Sequence, residues 1–212
     1  MILAIDTSTA ACSAALFDDA GNCVAQRDEL IGRGHAERLV PMIAELLEGR
    51  SADRILVGVG PGSFTGIRVG IAAAQGLAIG WGAELAGMSS LALLAAGSTG
   101  AGPVAAAMPG GHGELFVQQF NQSPLAPSTA LISLSPEKAA ALVSAETVVG
   151  PGADELVQAR GWGTAVASWP RAANALTLPE NLRSLPPRPI YARAPDARPR
   201  PSLATATASQ AA

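Results

Sequence analysis

Between Gly66 and Trp81 the sequence GIRVGIAAAQGLAIGW has the composition of a helix, yet its polar side chains are Arg68 and Gln75 alone, set among Gly66, Gly70, Ala73, Ala74, Gly76 and Ala78. A surface helix keeps one solvated face, so a helix that is apolar nearly all round has to be covered on both sides. One side packs on its own sheet. The other meets either the helix predicted over His35 to Leu47, or a second chain that approaches closely over the small residues. Both readings stay open on pattern alone. Under the second, replacing Gly70 and Ala74 by large side chains abolishes complex formation and leaves a folded monomer.

The loop feeding this helix, GVGPGSFTG at residues 58–66, is glycine-rich, and a glycine loop opening a helix is a common way to hold phosphate. Its spacing argues otherwise. Ile67-Arg68 stands where a phosphate loop needs Lys-Ser or Lys-Thr, and Gly60, Gly62 and Gly66 are two and four apart, unlike a dinucleotide loop. The remaining reading is a tight strand-to-helix turn whose glycines let a neighbour come close.

Hydrophobic residues make up 49% of the 212 and charged ones 15%, with mean hydropathy +0.28, which suggests more covered surface than one monomer supplies. A net charge of -3 argues against a broad surface for nucleic-acid backbone and leaves room for a local RNA contact. MILAIDTST has no basic segment before its apolar run, and Val69 to Trp81 falls short of the roughly 20 residues of a membrane helix. The expectation is a cytoplasmic protein without membrane association. If residues 18–22 turn between two strands, Phe17 and not Cys12 opposes Cys23, so two buried free thiols are expected.

Strands are predicted at 1–5, 10–17 and 22–29, then the helix at His35 to Leu47 with Gly49 as its stop and Pro41 kinking or delaying it. A strand at 55–59, the helix from Thr65 or Gly66 to Trp81, a strand at 85–88 and a helix capped by Ser89 or Ser90 follow. Beyond them come strands at 104–108 and 114–120 joined by PGGHG, a strand at 130–134, a Ser135-capped helix at 136–143, a strand at 147–149 and a helix at 153–160. The order β-β-β-α-β-α fits a mixed sheet covered by helices and characterises the actin, Hsp70 and sugar-kinase group. We divide the chain into residues 1–100, a reduced second half at 101–199, and a disordered tail at 200–212.

In that fold Asp6, Thr7, Ser8 and Thr9, at the end of the first strand, are the place for a magnesium-orienting acid and phosphate-binding hydroxyls. Read alone, the four residues more simply close a turn through side-chain to backbone bonds. His35 has Leu39 where a second metal-binding histidine would stand four residues on, and His112 is remote, so no metal site is expected. For His35 the reading is a helix-entry residue that caps or packs. No G-x-S-x-G elbow occurs, and no catalytic constellation is found.

Four stretches, ILAIDTSTAACSAAL (2–16), GHAERLVPMI (34–43), VGVGPGSFTGIRVGIAAAQGLAIG (57–80) and PIYARAPDARP (189–199), closely resemble the TsaB (YeaZ) family of bacterial tRNA threonylcarbamoyladenosine biosynthesis proteins. The resemblance implies an α/β, actin-like ATPase (ribonuclease H-like) fold of two subdomains, the second reduced. It also implies a non-catalytic relative of TsaD, the subunit that transfers threonylcarbamoyl to N6 of adenosine 37 in tRNAs reading codons that begin with A. Family members bind TsaD through the two helices above, TsaE joins them, and the free protein often self-associates through the same surface. TsaD carries a metal-binding histidine pair that His35 and Leu39 break.

On that resemblance the partner-facing residues are His35, Leu39, Met42, Ile43, Leu46, Arg68, Ile71, Ala72 and Gln75. No cofactor of its own is implied; ATP or ADP would sit at the boundary with TsaD, and tRNA would be met through the complex. Met108 to Glu114 departs from the DAR-like segment of most relatives, and no D-x-G loop faces Asp6. The rival reading is a free-standing ATPase or kinase of the same fold that uses Asp6 and Thr7 to Thr9.

Overall fold

The computed structural model describes residues 1–192; the region 200–212 and the end of 101–199 lie outside the described residues. Two mixed sheets carry the fold. The first has the order β3-β2-β1-β4-β5, with β1 Ile2–Asp6, β2 Ala11–Phe17, β3 Cys23–Leu30, β4 Arg54–Gly58 and β5 Glu84–Met88. Its first three strands form an antiparallel meander, and β1, β4 and β5 run parallel.

Alternation along these strands builds two cores, because successive side chains point to opposite faces. Leu3, Ile5, Ile55 and Val57 meet α1 (His35–Leu47) and α2 (Phe64–Trp81) on one face. Ala4 and Leu56 point the other way, toward α3 (Ser90–Ala96) and the second sheet. That sheet has the order β11-β10-β6-β7-β8, with β9 also on β7. Its strands are β6 Val104–Gly111, β7 Glu114–Gln122, β8 Leu125–Pro127, β9 Ile132–Leu134, β10 Thr147–Val149 and β11 Thr164–Val166. Its far face packs on α4 (Pro136–Ala140) and α5 (Ala153–Arg160) through Ala105, Leu115, Val148 and Leu156. The molecule is thus layered: α1 and α2, first sheet, α3, second sheet, α4 and α5.

Several expectations need correction. Cys12 is buried, but Cys23 is exposed, because it opens the edge strand β3, where few positions are covered. It does lie opposite Phe17, as the turn at 18–22 requires. Pro41 does not delay α1, which begins at His35 and runs through it. α4 is shorter than 136–143, and PGGHG is not all turn: β6 continues to Gly111 across an irregularity at Pro109 to Gly111, leaving His112 and Gly113 at the bend. Strands β8 and β11, a 3-10 turn at Ala172–Thr177 and α6 (Glu180–Arg183) have no counterpart in the sequence reading.

The chain after β11 returns to the first sheet. Ala172, Ala175 and Leu178 join the central core, Gly87 and Leu185 exchange backbone hydrogen bonds beside β5, and Ile190 N donates to Val59 O at 2.8 Å. Residues 172–190, placed by sequence with the second half, therefore pack against the first.

Candidate functional site

The sequence marks two neighbouring segments, the Asp6 turn and the glycine loop, and the fold brings them together because β1 and β4 are adjacent parallel strands. Asp6 is buried. Its Oδ1 accepts from Ser8 N at 2.9 Å and Ser8 Oγ at 2.7 Å, and its Oδ2 accepts from Ser90 Oγ at 2.7 Å. Burial pushes the carboxyl above the usual carboxylate range, opposed by the hydrogen bonds from Ser90 and Ser8. Ser90, at the start of α3, was not foreseen, since nothing in sequence ties it to a residue 84 positions earlier.

The neighbouring threonine hydroxyls, and Ser63 with its amide, are bonded within the chain as well. Thr7 Oγ1 donates to Gly66 O at 2.7 Å, and Thr9 Oγ1 accepts from Ala11 N at 3.2 Å. Ser63 N donates to Ser8 O at 2.7 Å, while Ser63 Oγ caps α2 by accepting from Gly66 N at 3.2 Å. The glycines explain the approach. A Cβ at Gly58 would fall 2.0 Å from Asp6 Oδ2, at Gly62 2.2 Å from Ser8 O, at Gly66 2.0 Å from Thr7 O, and at Gly70 2.4 Å from Thr7 Oγ1. The two segments that each look like a phosphate cradle are the packing partners of one another.

Above this contact a cleft of about 370 Å³ opens between the first sheet and the second, with Ser8, Thr9, Gly62 and Ser63 on one side and Met108, Pro109 and Trp169 on the other. Among the described residues that line it there is no lysine or arginine. Met108 and Pro109 belong to the Met108–Glu114 segment singled out from the sequence, which places that segment at this cleft. Among the described residues no group of three His, Cys, Asp or Glu side chains is placed to hold a metal.

The helices present a second candidate surface. Of the nine residues predicted to face a partner, Leu39, Met42, Ile43, Leu46 and Ile71 are buried in the chain's own core between α1, α2 and the sheet. This corrects the reading: the periodic apolar face of α1 is the face its own sheet needs. His35 is buried too, with its ring Nε2 3.3 Å from Ala11 O, which places it as a packed helix-entry residue. Arg68, Ala72 and Gln75 are exposed.

The outward stripe of α2 is Phe64, Arg68, Ala72, Gln75, Gly76, Ile79 and Gly80, with Ile79 84% exposed. On α1 the exposed apolar positions are Ala36, Val40, Pro41 and Ala44. A helical projection from Arg68 through Ala72 and Gln75 points to Ile79, whereas Ile71, about 80° from Ile79 round the helix, falls on the buried flank. Gly70 and Ala74 are likewise buried, so enlarging them disturbs the monomer and does not isolate a contact between chains. At the foot of α2 the Arg68 guanidinium lies 3.6 Å from the Phe64 ring centroid and donates to Tyr191 Oη at 2.9 Å.

A model of the family described as "TsaD: tRNA N6-adenosine threonylcarbamoyltransferase" matches residues 27–129. The chain is 41% identical over 129 residues to the Escherichia coli (strain K12) protein named tRNA threonylcarbamoyladenosine biosynthesis protein TsaB, covering 57% of this chain and 55% of that one. The protein of the same name from Haemophilus influenzae is 42% identical over 99 residues, 44% of this chain and 41% of its own. The chain thus spans about half the length of these curated relatives. Among solved structures, YeaZ from Pseudomonas aeruginosa matches with a TM-score of 0.77 and 31% identity, over 90% of this chain and 98% of that one.

Proposed function

The chain belongs to the TsaB (YeaZ) family and shares its actin-like fold, and from that premise we propose that it is a non-catalytic subunit of the machinery that forms threonylcarbamoyladenosine at position 37 of tRNA. In this reading it docks TsaD through the outer faces of α1 and α2, TsaE joins the pair, and in isolation a second copy takes the same face. The observation that carries the proposal is the outer stripe of α2, where Ile79 stands 84% exposed among Ala72, Gly76 and Gly80. An apolar strip open to water is an interface feature, and small residues let a partner helix come close.

The non-catalytic part of the proposal is supported by the mutual packing of the Asp6 turn and the glycine loop. The carboxylate, hydroxyls and loop amide named above are bonded within the chain, and among the described residues no cation lines the cleft to neutralise a phosphate. A nucleotide used by the assembly would then lie at the boundary with TsaD, with phosphate ligands from the partner.

The test is co-purification of the full chain with TsaD from the same host, followed by a tRNA modification assay with and without this chain. The expected result is a stable complex and modification that depends on both proteins. Tight binding and turnover of Mg-ATP by the chain alone would overturn the non-catalytic assignment.

A further inference from the structure

Ser13 and Asp28 face one another across β2 and β3, on the side of the first sheet that Ala15 and Phe17 give to the central core and away from α1 and α2. Residues 167–171, which follow β11, close over this side and leave a cavity of about 410 Å³, within the roughly 300–1,000 Å³ of small-molecule sites. Leu30, Leu94 and Trp169 make apolar walls, and Asp28 and Arg171 set one charge of each sign into them. Glu29 also borders the cavity, but its carboxylate is held by Arg38, whose Nε donates to it at 2.7 Å.

The two charges are fixed in place. Asp28 Oδ1 accepts from Ser13 Oγ at 2.6 Å, and the same Ser13 Oγ accepts from Ala172 N at 2.7 Å. Arg171 Nε and Nη2 both reach Asp28 Oδ2, at 3.1 and 3.0 Å, which uses one edge of a guanidinium that carries five donors. A ligand with a single charge answers one member of this pair and opposes the other. A zwitterion answers both: its carboxylate takes the second edge of Arg171, its ammonium takes Asp28, and the four charges alternate in sign without the pair being broken. A third polar group stands beside them. Ser168 borders the same cavity, and its buried Oγ has no hydrogen-bond partner among the described residues. A buried hydroxyl without a partner in one state is accounted for when it meets one in another.

The walls choose the side chain. Leu30 is 65% exposed, and an open leucine facing the same space as an indole suits a flat apolar ring, which stacks with an offset on Trp169 and covers Leu30. We propose that this cavity is a binding site for a free aromatic amino acid, held at its charged end by Asp28 and Arg171 and at its ring by Trp169, Leu30 and Leu94. The site lies across the first sheet from the outer faces of α1 and α2, so it stands or falls independently of the docking of TsaD.

The test titrates the full chain, by calorimetry, with L-phenylalanine, with 3-phenylpropionate, which lacks the ammonium, and with 2-phenylethylamine, which lacks the carboxylate. L-phenylalanine should bind, and each analogue should bind about tenfold or more weakly, because each loses one charge-assisted contact. Arg171→Gln should remove the advantage of L-phenylalanine over 2-phenylethylamine. Leu30→Ser, at an exposed position that leaves the ion pair intact, should weaken L-phenylalanine about fivefold through lost apolar contact. If thermal unfolding shows that Arg171→Gln does not fold, Leu30→Ser carries the test with the three probes. No binding of L-phenylalanine by the unaltered chain at millimolar concentration overturns the site. Equal affinity for the three probes also overturns it, by making the cavity merely apolar, and undiminished affinity in Leu30→Ser does so by placing the ligand elsewhere.

Discussion

The two faces of α2 are built from the same small residues for opposite reasons. On the inner face Gly66 and Gly70 are small because Thr7 lies where their side chains would be, with Thr7 O 2.0 Å from a Cβ on Gly66. On the outer face Gly76 and Gly80 have nothing within 4 Å of the same construction. Inside, small size is fixed by a contact already made. Outside it marks a space that the described residues leave open, next to an isoleucine that water reaches almost freely. A helix with so little polarity reports that both sides are covered; only contacts tell which side its own fold covers.

The sharpest way to break this comparison is at its inner end. Gly66→Ala drives a methyl group into the Thr7 carbonyl, a backbone atom held between two strands, and should cost about 3 kcal/mol of stability by overpacking. For a chain of this size that lowers Tm by roughly 6 to 12 °C. Thermal unfolding of the isolated chain checks it, and an unchanged Tm would mean that the turn and loop are not packed as described.

The outer face answers to a different measurement. Ile79→Glu removes an exposed apolar side chain that touches little of its own fold, so Tm should hold within about 1 °C. Binding to TsaD should weaken about thirtyfold, which corresponds to about 2 kcal/mol at a contact near the centre of an interface. Titration of the variant against TsaD reads the effect, and full-strength binding would move the docking face off α2.

How much of this was legible beforehand follows from how each segment encodes its neighbours. The meander, the parallel strand β4 and both long helices are spelled by local periodicity, and the pairing of Phe17 with Cys23 follows from turn length. The apolar stripe of α1 was visible too, but Leu39, Met42, Ile43 and Leu46 satisfy a sheet and a partner equally well in a linear pattern. The sheet takes them. α2 has too little polarity for its pattern to separate Ile71 from Ile79. The return of residues 172–190 was hidden because its few apolar anchors, Ala172, Ala175 and Leu178, name no partner in a linear pattern, and backbone bonds such as Gly87 to Leu185 can accompany any side chains. The Asp6 site was half legible: its turn-closing bond to Ser8 is local, whereas the bond to Ser90 needs the fold.

The smallest effect is also the most discriminating, because one substitution changes sign along one helix. Gly70→Ala places its methyl 2.4 Å from Thr7 Oγ1, a hydroxyl held by its bond to Gly66 O, and should destabilise the isolated chain by about 1 kcal/mol after the gain in helix propensity is counted. Gly76→Ala meets open space and should stabilise it by about 1 kcal/mol, because alanine restricts the unfolded chain and favours the helix. Denaturant unfolding of the pair gives both numbers. The same Gly76→Ala chain then sharpens the docking claim. If a partner helix approaches as closely over Gly76 as Thr7 does over Gly70, the variant that folds better binds TsaD less well, and a gain in stability with no loss in binding would place the partner elsewhere on the outer face.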